Sequence, residues 1–264
     1  MSPSRSPAAL AALALEVAVE AGALALTGYR HPKRVAHKGA IDLVTEFDTR
    51  VEELIRARLA QATPDIALVA EEGGGDAGAA LTWYVDPIDG TTNYAHGHPF
   101  WCVAIGLARA DGSPVAGAVV APALATHWTG AEGRPAERSG EPCRVSEVDR
   151  LDQALLATGF PYDRHTSAAN NFAAFVAAKK RAQGVRRCGS AAIDLCLVAD
   201  GTYDGYWERK LKPWDVMAGA AIAAAAGARL TSLGGSAPRP LTGELVATNG
   251  RVHDELLELL RAAG

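Results

Sequence analysis

A short apolar run that leads into two aspartates constrains this chain more than any other feature. Residues 82–85 read T-W-Y-V and are followed at once by D-P-I-D-G-T-T-N at residues 86–93. The apolar run predicts a strand that ends at Asp86, and α/β folds commonly place their ligands at the carboxyl ends of strands. Pro87 restricts Asp86 to extended geometry, and Gly90 permits a sharp turn. The amides of residues 90–92 are then expected to open a helix that faces an anion.

The residues of this turn allow two interpretations. Its carboxylates and amides form a plausible cradle for a hard cation and a phosphate. A D-x-x-D-G sequence is also an ordinary turn at the end of a strand, because Asp and Gly favour turns. Only motifs elsewhere in the chain can distinguish these two interpretations.

Size and composition indicate a globular protein with small partners. The chain has 264 residues, of which 48% are hydrophobic, so one large domain or two fused layers can bury a sizeable core. Its net charge of -4, from 26 basic and 30 acidic residues, argues against binding nucleic acid by bulk electrostatics and gives no membrane signal. The four cysteines are scattered, which is typical of reduced thiols in a cytoplasmic protein. Glu16 and Glu20 interrupt the alanine-rich start, which imitates a signal peptide only weakly.

Hydrophobic periodicity indicates a mixed α/β (α+β) chain. Helices are predicted at residues 8–28, 45–62, 171–180, 190–199, 215–226 and 253–260. Strands are predicted at residues 66–70, 82–85, 100–108, 115–120, 158–163, 184–187 and 203–207. Residues 73–80 form a glycine-rich loop, and residues 129–144 are polar and rich in turn formers. Layered sheets flanked by helices are therefore expected.

Five further motifs occur with D-P-I-D-G-T-T-N in a fixed order. They are K-G-A-I-D-L-V-T-E-F-D at 38–48, A-E-E-G at 70–73, G-S-A-A at 189–192, Y-W-E at 206–208 and K-P-W-D-V-M-A-G at 212–219. Together the six resemble the inositol monophosphatase family, from about residue 8 to the C-terminus. The resemblance implies a layered α-β-α-β-α sandwich of the inositol monophosphatase and fructose-1,6-bisphosphatase type. Residues 1–140 would carry most metal ligands, and residues 141–264 would complete the site of one catalytic unit.

The resemblance also implies a metal centre. Glu71, Asp86 and the Ile88 carbonyl match one metal site, while Asp86, Asp89 and Asp215 match a second that shares Asp86. A third, weaker ion is implied near Glu71. Ligand sets made only of oxygen suit Mg²⁺, with Mn²⁺ as a possible substitute.

The resemblance implies that the remaining matched positions bind the attacking water, the phosphate and the alcohol. Thr91 and Asp48 match the pair that positions and deprotonates the attacking water, and the amides of Gly90 and Thr91 match the phosphate contacts. The positions that match contacts to polyol hydroxyls are Asp89, Gly189, Ser190, Ala191 and Glu208.

Several of these residues also have a structural interpretation. Asp48 could cap its helix, Glu208 could be a solvated strand residue, and Asp215 could be an N-cap. Lys38 is either a basic residue near the metals or a solvated loop lysine.

The expected activity is that of a Mg²⁺-dependent phosphomonoesterase acting on a small polyol phosphate, with myo-inositol monophosphate as the first candidate. Histidinol phosphate, fructose 1,6-bisphosphate and 3′-phosphoadenosine nucleotides are alternatives within the family. A non-catalytic role with RNA or transcription partners is the alternative of another class. The resemblance further implies a homodimer and inhibition by lithium.

Overall fold

The computed structural model describes residues 5–31, 35–37, 43–237 and 243–263. The helices in these ranges are α1 (Pro7–Gly28), α2 (Glu46–Ala62), α3 (Thr91–Ala95), α4 (Phe172–Arg181), α5 (Ala191–Ala199), α6 (Pro213–Ala225) and α7 (His253–Ala262). The strands before residue 150 are β1 (Val35–His37), β2 (Leu43–Thr45), β3 (Ala67–Ala70), β4 (Leu81–Asp89), β5 (Cys102–Arg109), β6 (Pro114–Ala121), β7 (Thr126–Ala131), β8 (Arg134–Arg138) and β9 (Glu141–Cys143). The later strands are β10 (Leu155–Thr158), β11 (Gly184–Arg186), β12 (Gly205–Arg209), β13 (Arg229–Thr231) and β14 (Glu244–Thr248).

Most of these strands belong to two large sheets. The first runs from β3 to β9 in chain order, with β3 and β4 parallel and the later neighbours antiparallel. The second has the order β11-β10-β12-β14-β13, in which β10 is parallel to both of its neighbours. Parallel pairs need crossover connections: helices α4 and α5 lie in the connections of β10 to β11 and β12, whereas residues 71–80 join β3 to β4 without a helix.

The helices cover and separate the two sheets. Helices α1 and α2 pack on one face of the first sheet, where Val17 and Ile55 join a core with Trp83 and Ile105. Helices α5 and α6 lie between the sheets, and α4 and α7 pack on the far side of the second. This arrangement confirms the predicted α-β-α-β-α sandwich.

Close packing holds α6 against the first sheet. A Cβ on Gly106 or Gly117 would collide with the backbone of Ala218. The two glycines therefore let α6 lie directly on β5 and β6, which brings the first turn of α6 to the end of β4.

Helix α1 also has the length and apolar composition of a membrane-spanning helix, the one such helix among the described residues. Its Leu10, Val17 and Ala21 are buried against the first sheet and α2. In the structure α1 is therefore part of the core, and burial in the core also accounts for its apolar composition.

Each predicted helix is present, with ends that differ by at most two residues. Two strand predictions are wrong at their ends. Strand β4 continues to Asp89 instead of stopping at Asp86, because a register shift between these two residues accommodates Pro87. The strand predicted at 158–163 lies at Leu155–Thr158, since Gly159 and Pro161 end the extended run.

No strand was predicted in residues 129–144, which are polar and rich in turn formers, yet the structure has strands there. These residues contribute to β7, β8 and β9 at one edge of the first sheet. Most residues of β8 and β9 are exposed or half-buried, with Ala136 as the buried exception. Edge strands of this kind keep polar side chains and lack the apolar alternation that reveals a buried strand.

Candidate active site

A pocket of about 260 Å³ lies where the end of β4 meets the first turns of α5 and α6. The predicted site residues that line it are Glu71, Asp86, Ile88, Asp89, Gly90, Thr91, Gly189, Ser190, Ala191, Glu208 and Asp215. Asp48 is fully buried and contacts this set through Thr91. The fold therefore brings the whole predicted constellation together.

The turn after β4 has the geometry that its sequence predicts. The Ile88 amide donates to Asp86 Oδ1 at 3.0 Å, and Gly90 has a φ of 93°. A Cβ on Gly90 would lie 3.0 Å from the Phe100 carbonyl oxygen and 3.1 Å from that of Gly189. Glycine is thus required both by the backbone conformation and by the space. Helix α3 begins at the next residue.

Thr91 and Asp48 form a buried hydrogen-bonded pair. Thr91 Oγ1 lies 3.0 Å from Asp48 Oδ1 and 3.0 Å from the Ile88 carbonyl oxygen. Asp48 Oδ2 in turn accepts from the amide of Thr45 at 2.8 Å and from its hydroxyl at 2.6 Å, at the start of α2. Asp48 therefore caps its helix and orients Thr91 at the same time, so the two interpretations of this residue are compatible.

Asp89 joins the two halves of the chain. Its Oδ2 accepts from the Ser190 hydroxyl at 2.6 Å and from the Ala192 amide at 2.7 Å, at the N-terminus of α5. Burial raises the pKa of Asp89 to about 6, although these hydrogen bonds favour the ionised form. Nearby, Asn93 Nδ2 donates to the carbonyl oxygens of Phe100 and Cys188, at 2.6 and 2.9 Å, which ties the same two halves.

The carboxylates around the pocket repel one another. Burial, and then the negative charges of Glu71 and Asp89, raise the pKa of Asp86 well above its usual range. Burial likewise raises the pKa of Asp215, although its Oδ2 accepts from the Lys212 amide at 2.7 Å. Asp215 is the third residue of α6, so it is not the N-cap of that helix.

The donor set of this pocket fits a hard divalent cation. Its candidate ligands are carboxylate and carbonyl oxygens, with no cysteine or histidine among the described lining residues. Within the described ranges, no three acidic, histidine or cysteine side chains are already arranged so as to enclose a metal ion. Mutual repulsion favours such a separation, and a bound cation would relieve both the repulsion and the raised pKa values.

Glu208 also lines the pocket, near the end of β12. It is half-buried, and its Oε2 accepts from the Tyr206 hydroxyl at 2.6 Å. Burial raises its pKa to about 7, while the Tyr206 hydrogen bond and the Arg187 guanidinium oppose that rise. Glu208 is therefore a positioned pocket residue, and its interpretation as a solvated strand residue is wrong.

Gly159, Arg187 and Asp194 are among the pocket residues that sequence reasoning missed. Asp194 is 1% exposed, and its Oδ1 has no hydrogen-bond partner among the described residues. A signal was available, since Asp194 is the one charged residue within the apolar helix at 190–199. Arg187 and Gly159 carry no such signal, because their positions depend on how the second sheet meets the first. Lys38 lies outside the described residues.

Comparisons with known proteins agree on one family. The profile of the inositol monophosphatase family matches residues 7–264. An inositol-1-monophosphatase from Synechocystis sp. is 41% identical to this chain, with 95% of this chain and 88% of that protein covered. The structure of an inositol monophosphatase from Anabaena superimposes with a TM-score of 0.88 at 39% identity, covering 96% of this chain and 95% of that one. A relative from Pseudomonas aeruginosa named Nus factor SuhB is 37% identical and covers 86% of both chains.

Proposed function

Because the chain belongs to the inositol monophosphatase family, whose members are phosphoric monoester hydrolases, we propose that it hydrolyses a small polyol phosphate with Mg²⁺ as its cofactor. The first candidate substrate is myo-inositol monophosphate. One observation carries this proposal above the others. The buried pair of Thr91 and Asp48 adjoins a pocket whose lining includes six carboxylates, and a cation would relieve their mutual repulsion.

The proposed metal ligands are Glu71, Asp86, Asp89, Asp215 and the Ile88 carbonyl. The Ile88 carbonyl oxygen lies 3.0 Å from Thr91 Oγ1 and has two lone pairs, so at least one is available for a cation. When bound, two Mg²⁺ ions, with a third near Glu71, would neutralise the phosphate and favour ionisation of the attacking water. Mn²⁺ would substitute, since it also prefers oxygen ligands.

The chain's own groups would then guide the attack. The Thr91 hydroxyl donates to Asp48 and can accept a hydrogen bond from the attacking water. The water's proton would pass to Thr91 Oγ1 as the Thr91 proton moves to Asp48 Oδ1. The amides of Gly90 and Thr91, at the start of α3, would hold the phosphate oxygens.

The alcohol would be bound on the other wall of the pocket. Asp89 and Glu208 present carboxylates, which accept hydrogen bonds from hydroxyl groups. Ser190 and the backbone of Gly189 and Ala191 complete this wall. Several acceptors on one wall suit a substrate with several hydroxyl donors, which is the reason to place a polyol there.

A phosphate-release panel tests the proposed function. Purified protein would be assayed with myo-inositol 1-phosphate, histidinol phosphate, fructose 1,6-bisphosphate, 3′-phosphoadenosine 5′-phosphate and p-nitrophenyl phosphate, with Mg²⁺ and with a chelator. We expect Mg²⁺-dependent release that is fastest with the inositol ester. Faster turnover of histidinol phosphate, with inositol phosphate no better than p-nitrophenyl phosphate, would reject the first candidate.

The Thr91 assignment has its own test. Thr91→Val removes the hydroxyl at nearly constant volume and should lower kcat by about 100-fold or more, whereas Thr91→Ser should restore most of it. Thr92→Val is the matched control, because Thr92 is exposed and adjacent in the same helix. Unchanged Mg²⁺-dependent turnover in Thr91→Val would contradict the proposed role.

Three further parts of the proposal rest on the family resemblance and on composition. They are a homodimer, inhibition by lithium and a cytoplasmic location, the last in keeping with four free cysteines. Light scattering tests the first, and assays in LiCl against NaCl at equal ionic strength test the second.

A further inference from the structure

A buried carboxylate outside the active pocket bonds to the turn that carries Glu71. This residue is Glu52 in α2, which is 3% exposed and is not among the described residues that line the pocket. Its Oε2 accepts from the Glu72 amide at 2.7 Å, and its Oε1 accepts from the Gly73 amide at 2.8 Å. These two bonds join α2 to the two residues that directly follow Glu71.

Arg56, one helical turn further along α2, extends this contact. Its Nε donates to Glu52 Oε1 at 2.8 Å, and its Nη2 donates to the Gly74 carbonyl oxygen. The Glu52 side chain is 4% exposed and that of Arg56 is 32% exposed. The two side chains together bond the backbone of residues 72–74, and we call this pair the clamp.

The turn is shaped for close approach to the clamp. A Cβ on Gly73 would lie 2.7 Å from Glu52 Oε1 and 3.0 Å from Arg56 Nη2, so glycine leaves the space that both groups occupy. On the other side of the turn, the Glu71 amide donates to the Val85 carbonyl oxygen of β4 at 3.2 Å. The backbone of Glu71 is therefore fixed by β4 before it and by the clamp after it.

Glu71 depends on such an anchor more than the other proposed metal ligands do. Asp86 and Asp89 lie within β4, and Asp215 lies in the first turn of α6, so regular hydrogen bonds hold their backbone. Glu71 instead follows the last residue of β3 and begins a turn that leads into the glycine-rich residues 73–80. Side chains on loops are positioned less precisely than those on helices and strands, unless further bonds fix the loop.

Stability alone does not account for the clamp. A buried ion pair often stabilises a fold no better than well-packed apolar side chains of similar volume. An apolar pair, however, would leave the amides of Glu72 and Gly73 without these acceptors. What Glu52 and Arg56 supply is a fixed position for three consecutive backbone groups.

We propose that Glu52 and Arg56 are positioning residues for Glu71, and that the clamp sets the affinity of the metal site that contains Glu71. The inference rests on the proposed function, in which Glu71 is a metal ligand. The clamp acts through the backbone of the turn and touches neither the metal nor the substrate. The site that contains Asp89 and Asp215 keeps its affinity when the clamp is broken.

Metal binding to the phosphate-free protein tests the clamp directly. Metal-free protein would be titrated with Mn²⁺, with the free ion followed by electron paramagnetic resonance, and Glu71→Gln would identify the class of sites to which Glu71 belongs. Glu52→Gln should weaken this class about 10- to 100-fold and change the remaining class by less than about threefold. The matched control is Glu53→Gln, which makes the same change of charge at the exposed neighbour in α2 and should alter neither class.

A double variant and the kinetics distinguish positioning from a role in folding alone. Adding Glu52→Gln to Glu71→Gln should weaken Mn²⁺ binding no further, because both changes act on the same ligand. In phosphate-release assays of Glu52→Gln, the Mg²⁺ concentration for half-maximal rate should rise about tenfold or more, while kcat at saturating Mg²⁺ stays within about threefold. A role in folding alone would lower Tm and leave the Mn²⁺ affinities unchanged.

Arg56→Gln provides a second variant in case Glu52→Gln does not fold, because the Arg56 side chain is partly exposed. It removes the bond to Gly74 and should weaken the same class of sites about threefold or more. Arg58→Gln is its control, since Arg58 pairs with Glu16 and Glu20 of α1 instead.

The clamp and the proposed function can fail separately. Unchanged Mn²⁺ affinities in both clamp variants, or equal losses in the two classes of sites, would overturn the clamp even in a protein that hydrolyses inositol phosphate. A loss confined to the Glu71 class, in a protein that hydrolyses no ester, would support the clamp and reject the proposed function.

Discussion

Gly159 controls the position of Glu208, and replacing it by alanine should change recognition of the alcohol without touching the reacting phosphate. A Cβ at this position would lie well inside 3 Å of three Glu208 atoms, Cδ, Oε1 and Oε2. Relaxed contacts between such atoms are about 3.5 Å or longer, so the carboxylate must withdraw by more than about 1 Å. The backbone of Gly159 is not in the left-handed region, so alanine brings no backbone strain.

The expected loss of kcat/KM follows from the hydrogen bonds that the displaced carboxylate loses. Moving the carboxylate breaks the 2.6 Å hydrogen bond from Tyr206 and would remove the contact to a substrate hydroxyl that we propose for Glu208. A hydrogen bond to a charged group contributes about 1.5–3 kcal/mol, so kcat/KM for myo-inositol 1-phosphate should fall by about 10- to 100-fold. p-Nitrophenyl phosphate has no polyol hydroxyl, so its kcat/KM should stay within about twofold.

Two controls distinguish this effect from a non-specific loss of folding or activity. Gly234→Ala places a Cβ at an ordinary 3.5 Å from Ser232 Oγ and should leave both substrates unaffected. If Gly159→Ala acts through Glu208, adding it to Glu208→Gln should cost little beyond Glu208→Gln alone. Equal losses on the two substrates, or fully additive losses in the double variant, would refute the reasoning.

Two further predictions concern charge and stability. Burial raises the pKa of Asp194 well above 3.8, so the folded state binds more protons and loses stability as pH rises above about 4. Asp194→Asn should therefore show a smaller loss of urea stability between pH 5 and pH 8, and an unchanged pH profile would contradict this. Mg²⁺ at 100 times its dissociation constant should raise Tm by about 5 °C or more at pH 8. The shift should be smaller at pH 5, because the raised pKa values of Asp86 and Asp89 let protons compete with Mg²⁺ there, and equal shifts at the two pH values would count against a carboxylate site.

The long amphipathic and apolar helices were predictable because their periodicity extends over several turns. Buried strands such as Pro114–Ala121 were predictable for a similar reason, since their residues are apolar on both faces. The last two strands of the first sheet, Arg134–Arg138 and Glu141–Cys143, were missed because their exposed side chains carry no apolar pattern. Continuation of β4 past Pro87 was missed because a bulge depends on the neighbouring strand, which local sequence does not reveal.

The residues of the candidate site also include some that the sequence could predict and some that it could not. Asp48, Asp86 and Thr91 were predictable because they belong to motifs that resemble those of the family. Arg187 and Gly159 were not, since their importance arises from contacts across more than 20 residues, with Glu208 in both cases. The second role of Asp89, as the acceptor for the start of α5, also depends on tertiary structure.

Asp89 and Asn93 both bond to the second half of the chain, and these bonds limit how the two sheets can separate. The turn at 86–93 is bonded to Cys188, Ser190 and Ala192, so the two sheets cannot separate while these bonds are intact. Any motion that parts the halves must also release Asp89, which we propose as a metal ligand. Hydrogen exchange at the Ala192 amide should therefore proceed only through states that are catalytically silent, so that protection of this one amide reports the population of competent enzyme.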